Sequence, residues 1–291
     1  MCSSDLNAGL DALAGGQRLT DLTSYLAVGT GSSEPSYTDT ILNAEIARTN
    51  SNGGFADSDA VVGSGALVEY WSRIRTRVFT QNQANGNLAE LGFFSSSQGG
   101  TMWNRQLFRD ELGNPTAITK TNEDQLRVRY EYRIYPPWDD LVQEIEVNGV
   151  TTEVVNRPQL VASSGNWGSF GGRSALNILG SVGPLLLAAY ETHTLPARNS
   201  YPSGTNANAS STAVQSYTPG TYYREREGRW EPSAANFATG IGVFYSLVNP
   251  ADTSANTSMA FASKVTPKIM KQDTQRLIVM ERWTYARKED L

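Results

Sequence analysis

The sequence predicts an all-β protein: an antiparallel, jelly-roll-like β-sandwich with a short N-terminal helix and an internal echo that suggests two pseudo-repeated meanders. Three observations carry this. Long segments alternate apolar and polar residues at period two, the spacing of a half-buried strand. Gly, Pro and Asn-Gly clusters punctuate those segments as turns do. Aromatic residues make up 10% of the 291 residues and charged residues only 18%, a composition that suits pleated, packed surfaces and not disorder.

Residues 1–24 are mixed and read as a short helix within an N-terminal arm. Tyr25 to Val28 is a brief strand ending at Gly29-Thr30-Gly31, followed by a turn-rich loop at Ser32–Tyr37. Thr38-Asp39-Thr40 offers a helix N-cap with Ile41, Leu42 and Ile46 behind it. A second short helix is therefore expected, closed before Asn52-Gly53-Gly54. Beyond it Val68, Tyr70, Ile74, Thr76 and Val78 line one strand face, with Trp71, Arg73, Arg75 and Arg77 on the other. That arginine face reads as a solvated strand face or a subunit contact. Leu88–Phe94 and Thr101–Phe108 are two further strands. Leu126, Val128, Tyr130, Tyr132 and Ile134 alternate with Arg127, Arg129, Glu131 and Arg133 in the cleanest strand of the chain. Pro136-Pro137 ends it, because proline cannot donate to a ladder.

Asn148-Gly149 between two β-rich runs calls for a hairpin closed by a type I′ turn, with Glu144 and Glu146 on a solvent face. Residues 163–172 are rich in Gly and Ser. Ser174 to Tyr190 is apolar but interrupted by Gly180, Gly183 and Pro184, so a helix and a pair of buried strands both remain open. Residues 199–220 read as a long exposed loop, and strands return at Thr221–Glu227, Ile241–Val248, Met259–Val265 and Arg276–Ala286. The domain plan is an arm (1–24), a sandwich or half-sandwich (25–160), a loop-rich insertion (161–220) and a second meander (221–291).

The echo links Gly92-Phe93-Phe94 with Gly242-Val243-Phe244, and Pro115, Ile118 and Lys120 with Pro267, Ile269 and Lys271. It also links Asp124–Val128 with Asp273–Val279. Each copy would be a three-stranded meander, unable to bury its apolar face alone. Two copies could face each other in one sandwich or stand in separate modules.

Function classes narrow by chemistry. A net charge of −5 without a basic tract lacks the footprint of a nucleic-acid binder. The longest apolar run, Pro184–Tyr190, is short of the ~20 residues that span a bilayer, and the start shows no signal-peptide pattern. One cysteine, Cys2, permits no internal disulfide and suits a reducing cytoplasm. A single histidine, His193, builds neither a metal cluster nor, without a nucleophile motif nearby, a hydrolase triad. Gly29-Thr30-Gly31 is followed by no Gly-Lys-Ser/Thr, and Gly168–Gly172 lacks a βαβ context. Asp139-Asp140 and Glu144/Glu146 near Trp138 are the one carboxylate group that merits a glycosidase hypothesis, without any sign of spatial pairing. No enzyme, cofactor or metal is expected.

Tyr25–Gly31, Glu34-Pro35, Thr38–Leu42 and Glu45–Arg48 are followed by Glu90–Phe94, Gly99–Phe108, Ile118–Thr121 and Leu126–Tyr130. Over residues 25–135 this series resembles the opening of many tailed-bacteriophage tail, fibre and neck-associated virion proteins. The resemblance implies a virion component assembled in the host cytoplasm, with itself and other phage virion proteins as partners. Edge strands, the N-terminal arm and aromatic loops would form its interfaces. The candidate interface residues are Trp71, Arg73, Arg75, Arg77, Tyr222, Tyr223, Arg224, Arg226 and Trp230, the last five of which could equally be a twisted strand pair with one wet face. Glu45 and Arg48 could pair and pin the expected helix. The alternative function is a receptor-binding module for host surface glycan, using aromatics near residues 195–223. A polysaccharide depolymerase is a weaker third.

Overall fold

A computed structural model describes residues 4–64, 67–135, 137, 139–159, 187–198, 200–248 and 259–287. The described chain is mostly β, with antiparallel sheets and two helices. The first half runs β1 (Ser4–Asp5), α1 (Asn7–Ala14), α2 (Leu19–Leu22), β2 (Tyr25–Gly29), β3 (Glu45–Thr49), β4 (Ser58–Ser64) and β5 (Leu67–Phe79). It continues through β6 (Gly86–Leu88), β7 (Glu90–Phe94), β8 (Met102–Leu107), β9 (Ile118–Lys120) and β10 (Leu126–Ile134). The second half contains β11 (Leu141–Val147), β12 (Val150–Gln159), β13 (Leu187–Tyr190), β14 (Asn206–Asn208) and β15 (Ser211–Val214). It ends with β16 (Tyr223–Trp230), β17 (Ile241–Val248), β18 (Met259–Ile269) and β19 (Leu277–Thr284).

Two sandwiches follow one plan. In the first, a sheet of order β1-β8-β7-β2-β3 faces a sheet of order β10-β5-β4. Their shared core holds Leu26, Val28, Phe79, Leu91, Phe93 and Tyr132. In the second, the order β11-β12-β18-β17-β13-β14 faces β15-β16-β19 around Val154, Leu187, Phe244, Val265 and Trp230. With β1, the separate β6–β9 pair and the β11–β12 hairpin set aside, the strand orders of the two halves are the same. Register agrees as well: Phe79 stands opposite Leu126 in one half, and Trp230 opposite Leu277 in the other. Small details recur at one constant sequence offset. The Lys120 ammonium donates to Gln81 O (3.2 Å), Asn85 Oδ1 (3.0 Å) and Thr121 O (3.2 Å). Lys271 donates to Pro232 O (3.0 Å), Asn236 Oδ1 (2.7 Å) and Gln272 O (3.4 Å). Ala84 and Ala235, both buried, take positive φ of 56° and 57° in the corresponding turns. The recurring unit is therefore larger than the three-stranded meander read from sequence. Its first strands carry too little sequence similarity to show the repeat.

Local chemistry explains most elements. Leucines 10, 13, 19 and 22 put one face of α1 and α2 into the first core. The N-terminal segment thus packs on its own protomer. Asp11 Oδ1 accepts the Tyr217 hydroxyl at 2.5 Å, and Arg287 donates to Asp5 O and Asn7 Oδ1 at 2.6 Å each, which ties the segment to the second half. Asn148 and Gly149 adopt φ of 52° and 78° between β11 and β12, the hairpin expected from Asn-Gly.

Two expectations are corrected. No helix follows Thr38. Asp39 accepts the Ser36 amide at 2.9 Å and an arginine from the sheet, so its carboxylate caps nothing helical, and residues 45–49 pair with β2 as a strand. The stretch 199–220 is not one loop. Its small polar residues form β14 and β15, both at sheet edges, where few side chains need burying. The Gly/Ser-rich run 163–172 and residues 174–186 lie outside the described residues. Leu187–Tyr190 of the ambiguous apolar run is a buried strand.

Candidate assembly interface

The arginine-bearing face of β5 points inward. Residues opposite each other in an antiparallel pair share a face. Arg73, Arg75 and Arg77 stand opposite Tyr132, Tyr130 and Val128, which belong to the core side. Arg75 and Arg77 are buried and converge on Asp57. Arg75 also donates to Thr20 O (2.7 Å), and Arg77 to Ser24 O (2.9 Å). Burial alone would raise the Asp57 pKa, but the Arg75 hydrogen bond and charge, with Arg77 and the Thr76 amide, hold it below the usual carboxylate range. These two cations anchor the α2 turn to the sheet and are not surface contacts. Arg73 is half-buried, and the Trp71 side chain lies outside the described residues.

The second cluster divides the same way. Arg226, at the repeat position of Arg75, is buried and bonds Glu281 and Ser246 Oγ (2.7 Å). Trp230 is wholly buried and donates Nε1–H to Ala207 O at 3.0 Å. Both are interior groups and leave the set of surface candidates. They share one parity along β16, and the sequence does not say that this face meets another sheet. Tyr222, Tyr223 and Arg224 stay half-buried, with Arg282 stacked 4.0 Å from the Tyr223 ring centre. Of the aromatics near 195–223, Tyr217 bonds Asp11, and Tyr201 is exposed while meeting Tyr245 edge-on at 5.5 Å.

Gly31, Asp39, Glu90 and Arg105 meet on the outer face of the first large sheet. Glu90 (0% exposed) accepts Arg105 Nε at 2.7 Å and the amides of Gly31, Asn43 and Ala44 at 3.2, 3.2 and 2.8 Å. Arg105 (1% exposed) reaches on to Asp39 Oδ2 (2.8 Å) and Ser33 O (3.0 Å). One buried ion pair thus pins the whole 30–44 loop. The glycines serve close approach and not a positive-φ turn, since a Cβ on Gly31 would fall 2.4 Å from Glu90 Oε1. Glu45 and Arg48 do pair, through two bonds of 2.9 and 2.7 Å, but on strand β3. Arg48 also donates to Ser96 O and Gly99 O and lies 3.6 Å from the Phe94 ring centre.

The surface feature that sequence reading missed is β11. It is the outer edge of the six-stranded sheet, and Leu141, Val142 and Ile145 are 63%, 57% and 43% exposed. Its signal was present in apolar residues at both parities of one strand, which no single buried face can cover. Gln143 and Ile145 share the core-side face with their partners Val154 and Thr152, both buried. The three-stranded sheet that covers Val154 therefore stops short of β11. Glu144 and Glu146 are exposed on the opposite face, as expected.

The remaining candidates hold structural contacts. Asp140 accepts Arg157 (2.7 Å) and Arg198 (2.8 Å), which keeps its pKa low, chiefly through the Arg157 hydrogen bond. His193 Nε2 sits 3.0 Å from Val265 O. Among the described residues no group of three or more His, Cys, Asp or Glu could hold a metal, and no helix is long and apolar enough to cross a membrane. Comparison with known proteins gives no match: no family model, no curated protein and no solved structure is significantly similar to the chain.

Proposed function

We propose that this chain is a structural subunit of a tailed-phage virion, from its tail, neck or fibre apparatus, and that it acts through interfaces with its own copies and with neighbouring virion proteins. The virion assignment rests on the resemblance of residues 25–135. Its support in the fold is that Gly31, Asp39, Glu90 and Arg105 of that pattern build one loop-pinning network, a framework role. The observation that carries the assembly reading is β11, an edge strand with apolar side chains exposed on both faces. Natural edge strands are usually short, charged or covered. A seven-residue edge bearing Leu, Val and Ile in water is a surface that a partner would cover. Negative-stain images of the purified protein test this. Rings, trimers or stacks of fixed symmetry support the reading, and isolated two-lobed particles at every concentration would sink it.

A further inference from the structure

We infer that the occupant of the β11 edge is a second copy of this chain, which presents its β10 edge in antiparallel register, so that subunits join head to tail. This rests on the assembly reading above and names its seam. Both strands are sheet edges, β10 of the three-stranded sheet in the first half and β11 of the six-stranded sheet in the second. Each therefore has one row of backbone groups facing away from its sheet. Such rows pair readily with another strand.

Side-chain chemistry selects the partner and the register. The outward face of β10 carries Arg127, Arg129, Glu131 and Arg133, and Glu131 already bonds Arg133 at 2.8 Å. With that pair closed, the remaining charge of the face is cationic, at Arg129 and at Arg127, whose guanidinium lies 4.6 Å over the Phe55 ring centre. The outward face of β11 is anionic, with Glu144 and Glu146, and Glu153 stands beside Glu144 on β12. An antiparallel register that sets Glu144 opposite Arg129 sets Glu146 opposite Arg127. It also fixes the other face, because side chains alternate along both strands. There Ile145 meets Val128, Val147 meets Leu126, Gln143 meets Tyr130 and Leu141 meets Tyr132. Those four β10 residues lie on the core side of their sheet, so the apolar row of β11 would extend a core that is already formed. Two positions match less well: Gln143 within the apolar row, and Val142 opposite Glu131 on the solvated face. Two β11 strands pairing with each other would instead bring Glu144 and Glu146 of both copies to one seam, which like charges disfavour.

The contact is heterologous: each copy offers one β10 edge and one β11 edge. Such a contact closes into a ring where the rotation permits and otherwise grows as a filament. That geometry suits a virion collar or tube more than a two-fold dimer.

The test uses the full chain and light scattering. Glu144→Arg with Glu146→Arg, and separately Arg127→Glu with Arg129→Glu, should each reduce the mass to that of one protomer, with far-ultraviolet circular dichroism unchanged because all four side chains are exposed. The four substitutions combined swap the charges across the seam and should restore the native mass. In a Cys2→Ser background, Ile145→Cys with Val128→Cys should give covalent multimers on a non-reducing gel, and Ile145→Cys alone should not. Native oligomers whose mass survives either charge reversal would overturn this seam and leave the assembly reading standing. Loss of assembly that the fourfold swap fails to restore would overturn the pairing of these two strands. A native protein that is monomeric throughout would overturn both.

Discussion

Replacing Glu90 by alanine removes the hub of the first outer face. The loss has two parts. The Arg105 guanidinium, 1% exposed, keeps Asp39 but loses its 2.7 Å partner. The amides of Gly31, Asn43 and Ala44 lose their carboxylate acceptor together. Breaking a buried ion pair from one side costs about 3–5 kcal/mol, and each stranded buried donor about 1–3 kcal/mol. These terms share one carboxylate and are not additive, and water can enter the emptied space, so roughly 4 kcal/mol is the expected net loss. At about 2–4 °C per kcal/mol, calorimetry should show a fall of roughly 8–16 °C in the melting of the first sandwich. The loop amides of residues 31, 43 and 44 should lose hydrogen-exchange protection, while β13 and β17 in the second sandwich keep theirs. Glu90→Gln should be destabilising too, since its one carbonyl oxygen can still accept the Gly31 and Ala44 amides but its NH2 is a donor set against the Asn43 amide and Arg105 Nε. A Glu90→Ala loss under about 1 kcal/mol, the size of an ordinary surface change, would refute the claim that this pair fixes the loop.

Three further outcomes follow from the same contacts. Lys120→Met and Lys271→Met should destabilise their own halves by similar amounts, about 1–3 kcal/mol each in urea titrations, because both ammoniums satisfy the same set of turn acceptors; a large cost in one half and none in the other would contradict the repeat. On acidification, Asp57 and Asp140 have folded pKa values below their ordinary 3.8, so the unfolded chain takes up protons first and stability falls as pH drops through and below that value; Asp57→Asn should flatten this acid limb of a stability–pH curve. On the alkaline side, burial raises Tyr190 and Tyr245, lifts Tyr132 well above its ordinary 10 and pushes Tyr285 up to about 12, so Tyr132, Tyr245 and Tyr285 should stay largely protonated near pH 11 in the folded protein and ionise, by absorbance at 295 nm, as it unfolds.

Residues whose fate is decided along one strand were legible in the sequence. The alternation at Leu126–Ile134, the Asn148-Gly149 turn and Ile241–Val248 all stand where the pattern put them, because period two and turn chemistry act locally. Residues decided by a distant partner were not. Arg75 and Arg77 look like surface cations until Asp57 and the carbonyls of Thr20 and Ser24 are brought to them. Asp39 looks like a helix cap until Arg105 claims it. Trp230 could be an interface aromatic or a core anchor, and only the sheet behind it decides. The β11 edge was hidden for the opposite reason: its hairpin was clear, and what was missing was the knowledge that, among the described residues, no opposing layer reaches it.

The assembly claim is tested most directly by the light-scattering mass of the native protein across a wide concentration range. The protomer is 31.7 kDa. Assembly through this seam gives a fixed multiple of that mass, or steady growth with concentration as head-to-tail joints form. A constant single-protomer mass at every concentration would contradict it.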